Sequence, residues 1–292
     1  MKPAPFEYLR PATIDEACAL LARHADARVI AGGQTLVPMM AMRLARPSHL
    51  IDISRIAALK GMREDGDEIV LGAATRQVDV ERSALVAARL PLLAAALPWV
   101  GHAPTRNRGT IGGSIANADP AAEIGLVLAT LGGRVTVRDA NSTRTIDAHE
   151  LFLGPMTTSL PAAGCLTEVR MPVWREANVG VGFHEVSARK SDFAYVSAAA
   201  QLAFDANGRC VRCAAGLGGA TPVPTRLGAI EIALKGQVVD AARVRAAVTA
   251  ALTGVEIMHD AHASDAYRHR VAAALLERAL VDAATAAKGA RA

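Results

Sequence analysis

Aromatic side chains are scarce, 3% of the 292 residues, although 51% are hydrophobic and many of those are alanine. That balance suits a helix-rich globular protein of two domains with sizeable cores. An excess of one charge is also missing. The 32 basic and 28 acidic residues leave a dispersed net charge of +4, which leaves no nucleic-acid footprint. No run reaches the ~20 apolar residues of a membrane span. The nearest approach, 83–101, is interrupted by Arg89, Pro91 and Pro98. Residues 1–11 carry Lys2, Glu7, Arg10 and three prolines and lack the apolar segment of a secretory leader, so the chain is read as cytoplasmic. There are four cysteines, and only Cys210 and Cys213 lie close together. They follow the turn Asp205-Ala-Asn-Gly208, so a strand is expected there. Residues three apart on a strand face opposite ways. No second C-x-x-C completes a zinc site. These thiols are expected to pack as small hydrophobes, and no metal site is expected.

Two familiar phosphate motifs are absent as well. No glycine loop runs into Gly-Lys-Ser/Thr, and no G-x-G-x-x-G occurs. The nearest imitation, Gly216-Leu-Gly-Gly219, is read as a strand end. Two other glycine turns carry the information. Ala31-Gly32-Gly33-Gln34-Thr35-Leu36 follows a strand-like Arg28–Ile30 and leads into a short helix, expected over Leu36–Leu44. Thr110-Ile111-Gly112-Gly113-Ser114 is read as a second turn. It is preceded by Arg106-Asn-Arg108 and followed by Asn117, Asp119 and Glu123, with a helix expected from Pro120 to Leu131. Glycine permits positive φ and close backbone approach, and successive N–H groups in such turns form anion-binding concavities. A pair of them suits a diphosphate held between two halves of a fold.

Around these turns the pattern is mixed. Thr13-Ile-Asp-Glu16 is a capping box opening a helix. Strand, glycine turn, helix and strand up to Ile53 make a small βαβ unit. Asp65-Gly66 and Asp139-Ala-Asn141 mark two hairpins. Helices are expected over 83–88 and 92–99, and a strand over Cys165–Met171. Pro172–Asn178 reads as a boundary. Beyond it come strands at 180–186, 195–204 and 210–216, then helices at 225–234, 240–253 and 264–286. Residues 288–292 are read as a frayed tail.

Ala31-Gly-Gly-Gln-Thr-Leu-Val-Pro-Met-Met40 and Arg106-Asn-Arg-Gly-Thr-Ile-Gly-Gly-Ser-Ile-Ala-Asn-Ala-Asp-Pro-Ala-Ala-Glu123 resemble the two FAD loops of the flavoprotein subunit of molybdenum hydroxylases, the carbon monoxide dehydrogenase medium-subunit and xanthine dehydrogenase FAD-domain family. Phe6-Glu-Tyr8, His49–Ile53 and Ala188–Ala194 fit too, so the resemblance spans the chain. It implies an α+β protein: a two-part α/β FAD-binding domain of the vanillyl-alcohol-oxidase (PCMH) type over 1–176, divided near 56, and a smaller α+β domain with an antiparallel sheet over 177–292. It implies that Ala31–Leu36, Thr110 and Gly112–Ser114 hold the diphosphate. Asn117, Asp119 and Glu123 would face the adenosine side. Gly101 and Leu166 would line the flavin pocket, His184 would approach the ring, and Phe193 would stack on it. No residue acts as a catalyst by itself. The resemblance further implies electron transfer by FAD within a three-subunit enzyme. Its large partner carries molybdopterin, its small partner two 2Fe–2S clusters, and the whole is a dimer of heterotrimers. An N-heteroaromatic or small aromatic substrate is the expectation. The residues also leave open a self-sufficient FAD oxidase of the same fold and a non-catalytic nucleotide-binding module.

Overall fold

In the computed structural model, residues 2–289 are described. The chain opens with β1 (Glu7–Leu9), α1 (Ile14–Arg23), β2 (Ala27–Ile30), α2 (Leu36–Ala41) and β3 (His49–Asp52). The Thr13 hydroxyl accepts from the Glu16 amide at 3.1 Å, and the Glu16 carboxylate accepts from the Ala12 amide at 2.7 Å, closing the predicted cap. β3 lies between β1 and β2 and is parallel to both. The β2–β3 pair matches the expected βαβ unit. β1 is an addition, since three residues are too few to show a period.

The second part holds β4 (Met62–Asp65), β5 (Glu68–Gly72), α3 (Gln77–Glu81), α4 (Ala84–Arg89), α5 (Pro91–Ala96), α6 (Ala103–Arg108), α7 (Ile111–Asn117) and α8 (Glu123–Leu131). It continues with β6 (Arg134–Arg138), β7 (Thr143–Asp147), α9 (Ala148–Leu151), β8 (Phe152–Gly154), β9 (Thr157–Thr158) and β10 (Cys165–Pro172). Its five-stranded antiparallel sheet runs β4-β5-β10-β6-β7. The two predicted hairpins supply four of those strands, and β10 joins them through the middle. Leu92, Leu93, Leu97, Ile111, Ile115 and Ile124 are fully buried against this sheet. Each contributes ~2 kcal/mol by removal from water.

The remainder comprises β11 (Asn178–Val186), β12 (Val196–Phe204), β13 (Cys210–Gly218), β14 (Thr225–Arg226), α10 (Gly228–Leu234), α11 (Ala241–Leu252) and α12 (Asp265–Gly289). The strands form one antiparallel sheet in sequence order. Every residue of β12 is buried. Val196, Ala198, Ala200 and Leu202 face α10–α12, whereas Ala199 and Ala203 enter the core of the preceding part. One strand thus closes two cores, which is why it reads as an unbroken small and apolar run. α12 lies directly on β11. A Cβ at Gly180 would stand 2.0 Å from the Ala283 carbonyl oxygen, and one at Gly182 would stand 2.1 Å from that of Ala279.

Four expectations need correction. The second glycine turn is the first turn of α7, because the Thr110 hydroxyl caps the Gly113 amide at 3.1 Å and nothing interrupts the helical run. The helix expected from Pro120 starts at Glu123, after Asp119 turns the chain by accepting from the Ala121 amide at 3.0 Å. Residues 225–226 pair with β13 before α10 begins. Cys210 and Cys213 share a face. The register of β12 on β13 shifts between Ala203 and Phe204, leaving Val211 as an extra residue, and a bulge of this kind reverses the alternation beyond it. Of the frayed tail, α12 claims Lys288 and Gly289, and 290–292 lie outside the described residues.

Candidate functional site

The first glycine loop leaves the carboxyl end of β2, the edge where open α/β sheets hold ligands. Gly33 has φ +71°, which turns the chain into α2. A Cβ at Gly32 would stand 2.4 Å from the Arg108 carbonyl oxygen and 2.8 Å from the Gly109 Cα. The two loops, 75 residues apart as read from Gly33 to Arg108, therefore meet backbone to backbone. A hollow of about 280 Å³ opens there, lined by Gly32, Gly33, Gln34, Val37, Pro38 and Arg108. The Arg76 guanidinium donates to the Arg108 carbonyl and fixes the second loop from behind.

In α7 the two glycines have different tasks. A Cβ at Gly112 would stand 2.5 Å from the Ala73 Cβ, so this residue seats the helix on the end of β5. Gly113 is exposed, and a Cβ there would meet only the Thr110 hydroxyl, at 2.7 Å. Ala31, Gln34, Thr35, Leu36 and Ser114 stand partly or fully open beside these loops. Asn117 donates to the Met156 sulfur at 3.7 Å. Gly101, at φ +47°, is braced by Arg106, which donates at 3.0 Å to the carbonyls of both Val100 and Gly101. Arg106 is also paired with Glu81 at 2.8 Å, so it holds the loop and does not reach outward.

Asp119, Glu123 and Glu185 form a group of carboxyls that influence one another. Glu123 opens α8, and burial pushes its carboxyl up to about 7. Burial raises Asp119 as well. Glu185 on β11 is pushed to about 8, first by burial and then by Glu123. The buried Oε2 of Glu185 has no hydrogen-bond partner among the described residues. Sequence reasoning missed Glu185 and chose His184 instead. The structure corrects this: the imidazole Nε2 lies 2.7 Å from Asp282 Oδ2 on α12, on the opposite face of β11. Parity is the signal that separates them. Val179, Val181 and Phe183 pack toward the part that holds β4–β10, and Glu185 continues that row.

Leu166 is buried in the central core on β10. Phe193 is 74% exposed on the 187–195 connection. That connection adjoins the carboxyl set. The Gly219 amide donates to the Pro120 carbonyl at 2.8 Å, and a Cβ at Gly219 would stand 2.8 Å from the Ala194 carbonyl oxygen. A larger hollow of about 530 Å³, bordered by Gly132, His149 and Arg226, contains none of the predicted residues. No group of His, Cys, Asp and Glu among the described residues is arranged to hold a metal.

Open backbone at two glycine loops that meet, with a hollow between them, suits a dinucleotide-binding protein. Comparison with known proteins narrows that class. Residues 4–174 match the FAD binding domain in molybdopterin dehydrogenase, and residues 182–283 match the CO dehydrogenase flavoprotein C-terminal domain. The chain belongs to this family, as a medium, FAD-binding subunit of the molybdenum hydroxylases. It is 38% identical to the nicotine 6-hydroxylase medium subunit of Paenarthrobacter nicotinovorans, over 97% of this chain and 99% of that one. It is 34% identical to the carbon monoxide dehydrogenase medium chain of Hydrogenophaga pseudoflava, over 96% and 97% respectively. Among solved structures, quinoline 2-oxidoreductase from Pseudomonas putida 86 superposes with a TM-score of 0.93 at 34% identity, covering 98% of this chain and 99% of that one. The described residues contain no helix long and apolar enough to cross a membrane.

Proposed function

We propose that this chain is the electron-transferring FAD subunit of a three-subunit molybdenum hydroxylase. It receives electrons from two 2Fe–2S clusters of a small partner and delivers them to an external acceptor, while a large molybdopterin subunit oxidises the substrate. The observation that carries this reading is the backbone-to-backbone meeting of the two glycine loops. Ala31–Leu36, Thr110 and Gly112–Ser114 would hold the diphosphate through main-chain N–H groups and hydroxyls. Asn117, Asp119 and Glu123 would face the adenosine side, and Gly101, Leu166 and Phe193 the flavin. When bound, FAD supplies the redox centre, and the chain sets its orientation and environment. Gly32 and Gly112 keep the cradle open by letting main chain meet main chain. Phe193, an apolar face turned to solvent, covers the ring and excludes water. Glu185 takes the place given earlier to His184 and presents a protonated carboxyl at neutral pH.

The domain division falls at 176/177, in the loop between β10 and β11. The complex is a cytoplasmic dimer of heterotrimers. An N-heteroaromatic substrate is favoured because nicotine and quinoline appear in the names of two relatives. The first experiment purifies the chain, records its visible spectrum and identifies the cofactor released on denaturation. Released FAD supports the reading, and a colourless chain that refuses added FAD refutes it. Co-expression with the two partners, followed by assay of N-heteroaromatic compounds with an artificial electron acceptor, tests the substrate class. Turnover by this chain alone would favour a self-sufficient oxidase.

A further inference from the structure

Among the described residues, four other than glycine have a left-handed backbone, Arg43, Ala118, Met156 and Ser191, and two of these are joined. The Met156 amide donates to the Ala118 carbonyl at 2.9 Å. Ala118, at φ +50°, ends α7, and its methyl is buried in the core beside the five-stranded sheet, which offsets the strain. Met156, at φ +56°, has no such compensation. With Pro155 it makes the two-residue connection of the β8–β9 hairpin, between the paired Gly154 and Thr157. A proline followed by a left-handed residue is a turn in which glycine is the usual second member. Methionine stands there instead, and its side chain is 45% exposed, so core packing does not account for it. Backbone strain of this kind clusters where ligands bind.

The Met156 side chain is held at the last turn of α7. The Asn117 amide donates to its sulfur at 3.7 Å, and Asn117 is one of the residues proposed for the adenosine side. Gly113, exposed Ala116 and half-buried Asn117 share one face of the helix by their three- and four-residue spacing. Asn117 lies about 6 Å along the axis from Gly113. The methionine therefore stands one helical turn beyond the second diphosphate loop, on the side that a nucleotide leaving that loop along α7 would meet. We infer that Met156 is a wall of the adenine pocket, its thioether packed on the purine ring of the adenosine half of FAD. This rests on the reading of the chain as an FAD subunit. A thioether is soft and polarisable and packs well against an aromatic ring. Asn117 holds the sulfur in place, and the left-handed turn keeps the side chain over the helix end.

The test uses the purified full-length chain, freed of flavin. Met156→Gly removes the side chain and suits the left-handed turn. By fluorescence titration its dissociation constant for FAD should rise about tenfold, as for one lost apolar contact. Wild-type affinity in this variant overturns the inference. Its urea midpoint should match or exceed that of the wild type, and a lower midpoint overturns the inference by showing that the side chain serves the fold. Met156→Leu keeps the apolar contact and should bind FAD within about threefold of wild type. The sequence adds a direct readout, because Arg144 and Arg170 are trypsin sites with none between them. FAD carrying an azide on adenine C8, irradiated on the wild-type chain, should label peptide 145–170, and a label confined to other peptides overturns the placement. A wild-type chain that takes up no FAD overturns the flavin reading itself and this inference with it, whereas normal uptake with an unaffected Met156→Gly overturns this inference alone.

Discussion

Glu185→Gln keeps the shape of the side chain and removes its ionisation, so it isolates the effect of the buried acid on stability. Glu185 ionises near 4.5 in an unfolded chain and at about 8 in the fold, where burial and Glu123 oppose its charge. Its protonated form therefore stabilises the folded state fully below pH ~4.5, and that contribution is lost as the pH climbs through the folded value. Between pH ~5.5 and ~7.5 the folded state holds about one more proton than the unfolded state, and each pH step costs ~1.4 kcal/mol. Allowing for solvent at the rim of the site, the loss across that interval is on the order of 2 kcal/mol. Glu123, raised to about 7, acts in the same direction over a lower range. Urea titration of the flavin-free chain at both pH values measures the loss directly. Glu185→Gln should remove the Glu185 share and leave that of Glu123, which burial sets first, so the mutant's stability should change less with pH. Equal losses in wild type and mutant would refute the burial argument for Glu185.

The glycine loops predict a separation of effects. Gly32→Ala drives a methyl into the Arg108 carbonyl and should cost about 3 kcal/mol in urea unfolding. Gly113→Leu displaces only the Thr110 cap, at about 1 kcal/mol, yet the purified protein should carry no FAD by absorbance. Phe193→Ala should leave the melting temperature unchanged, because the ring is exposed, while stopped-flow reoxidation of the bound flavin changes rate. Asp260→Ala leaves the Arg268 guanidinium buried without its carboxylate, 2.7 Å away in the native protein, and should cost about 3 kcal/mol by urea titration.

The legible parts of this protein are those where local chemistry and tertiary structure agree. The Thr13 cap, the hairpin at Asp65-Gly66 and the loop at Gly32-Gly33 each declare themselves through residues that do little else in such spacing. Other features depend on partners distant in sequence. β1 exists because β3 offers it an edge. α7 tolerates two glycines because Ala73 needs one of them small and Thr110 caps the other. Face assignments are the most fragile, since one residue of register decides them. The extra Val211 placed both thiols on the same side, and the row of Val179, Val181 and Phe183 selected Glu185 over its neighbour His184.

The seat of α12 on Gly180 and Gly182 bears on how the chain is made. The small residues of β12 are covered on one side by a helix about 80 positions further along, which at ordinary rates of synthesis arrives ~5–15 s later. During that interval a nascent sheet exposes Val196, Ala198, Ala200 and Leu202 to whatever else is nearby. Its glycines leave no protruding side chain to repel a stray helix or strand. A ribosome that stalls between 210 and 265 would therefore leave a sticky, half-roofed intermediate, and chaperone capture should concentrate in that window of elongation.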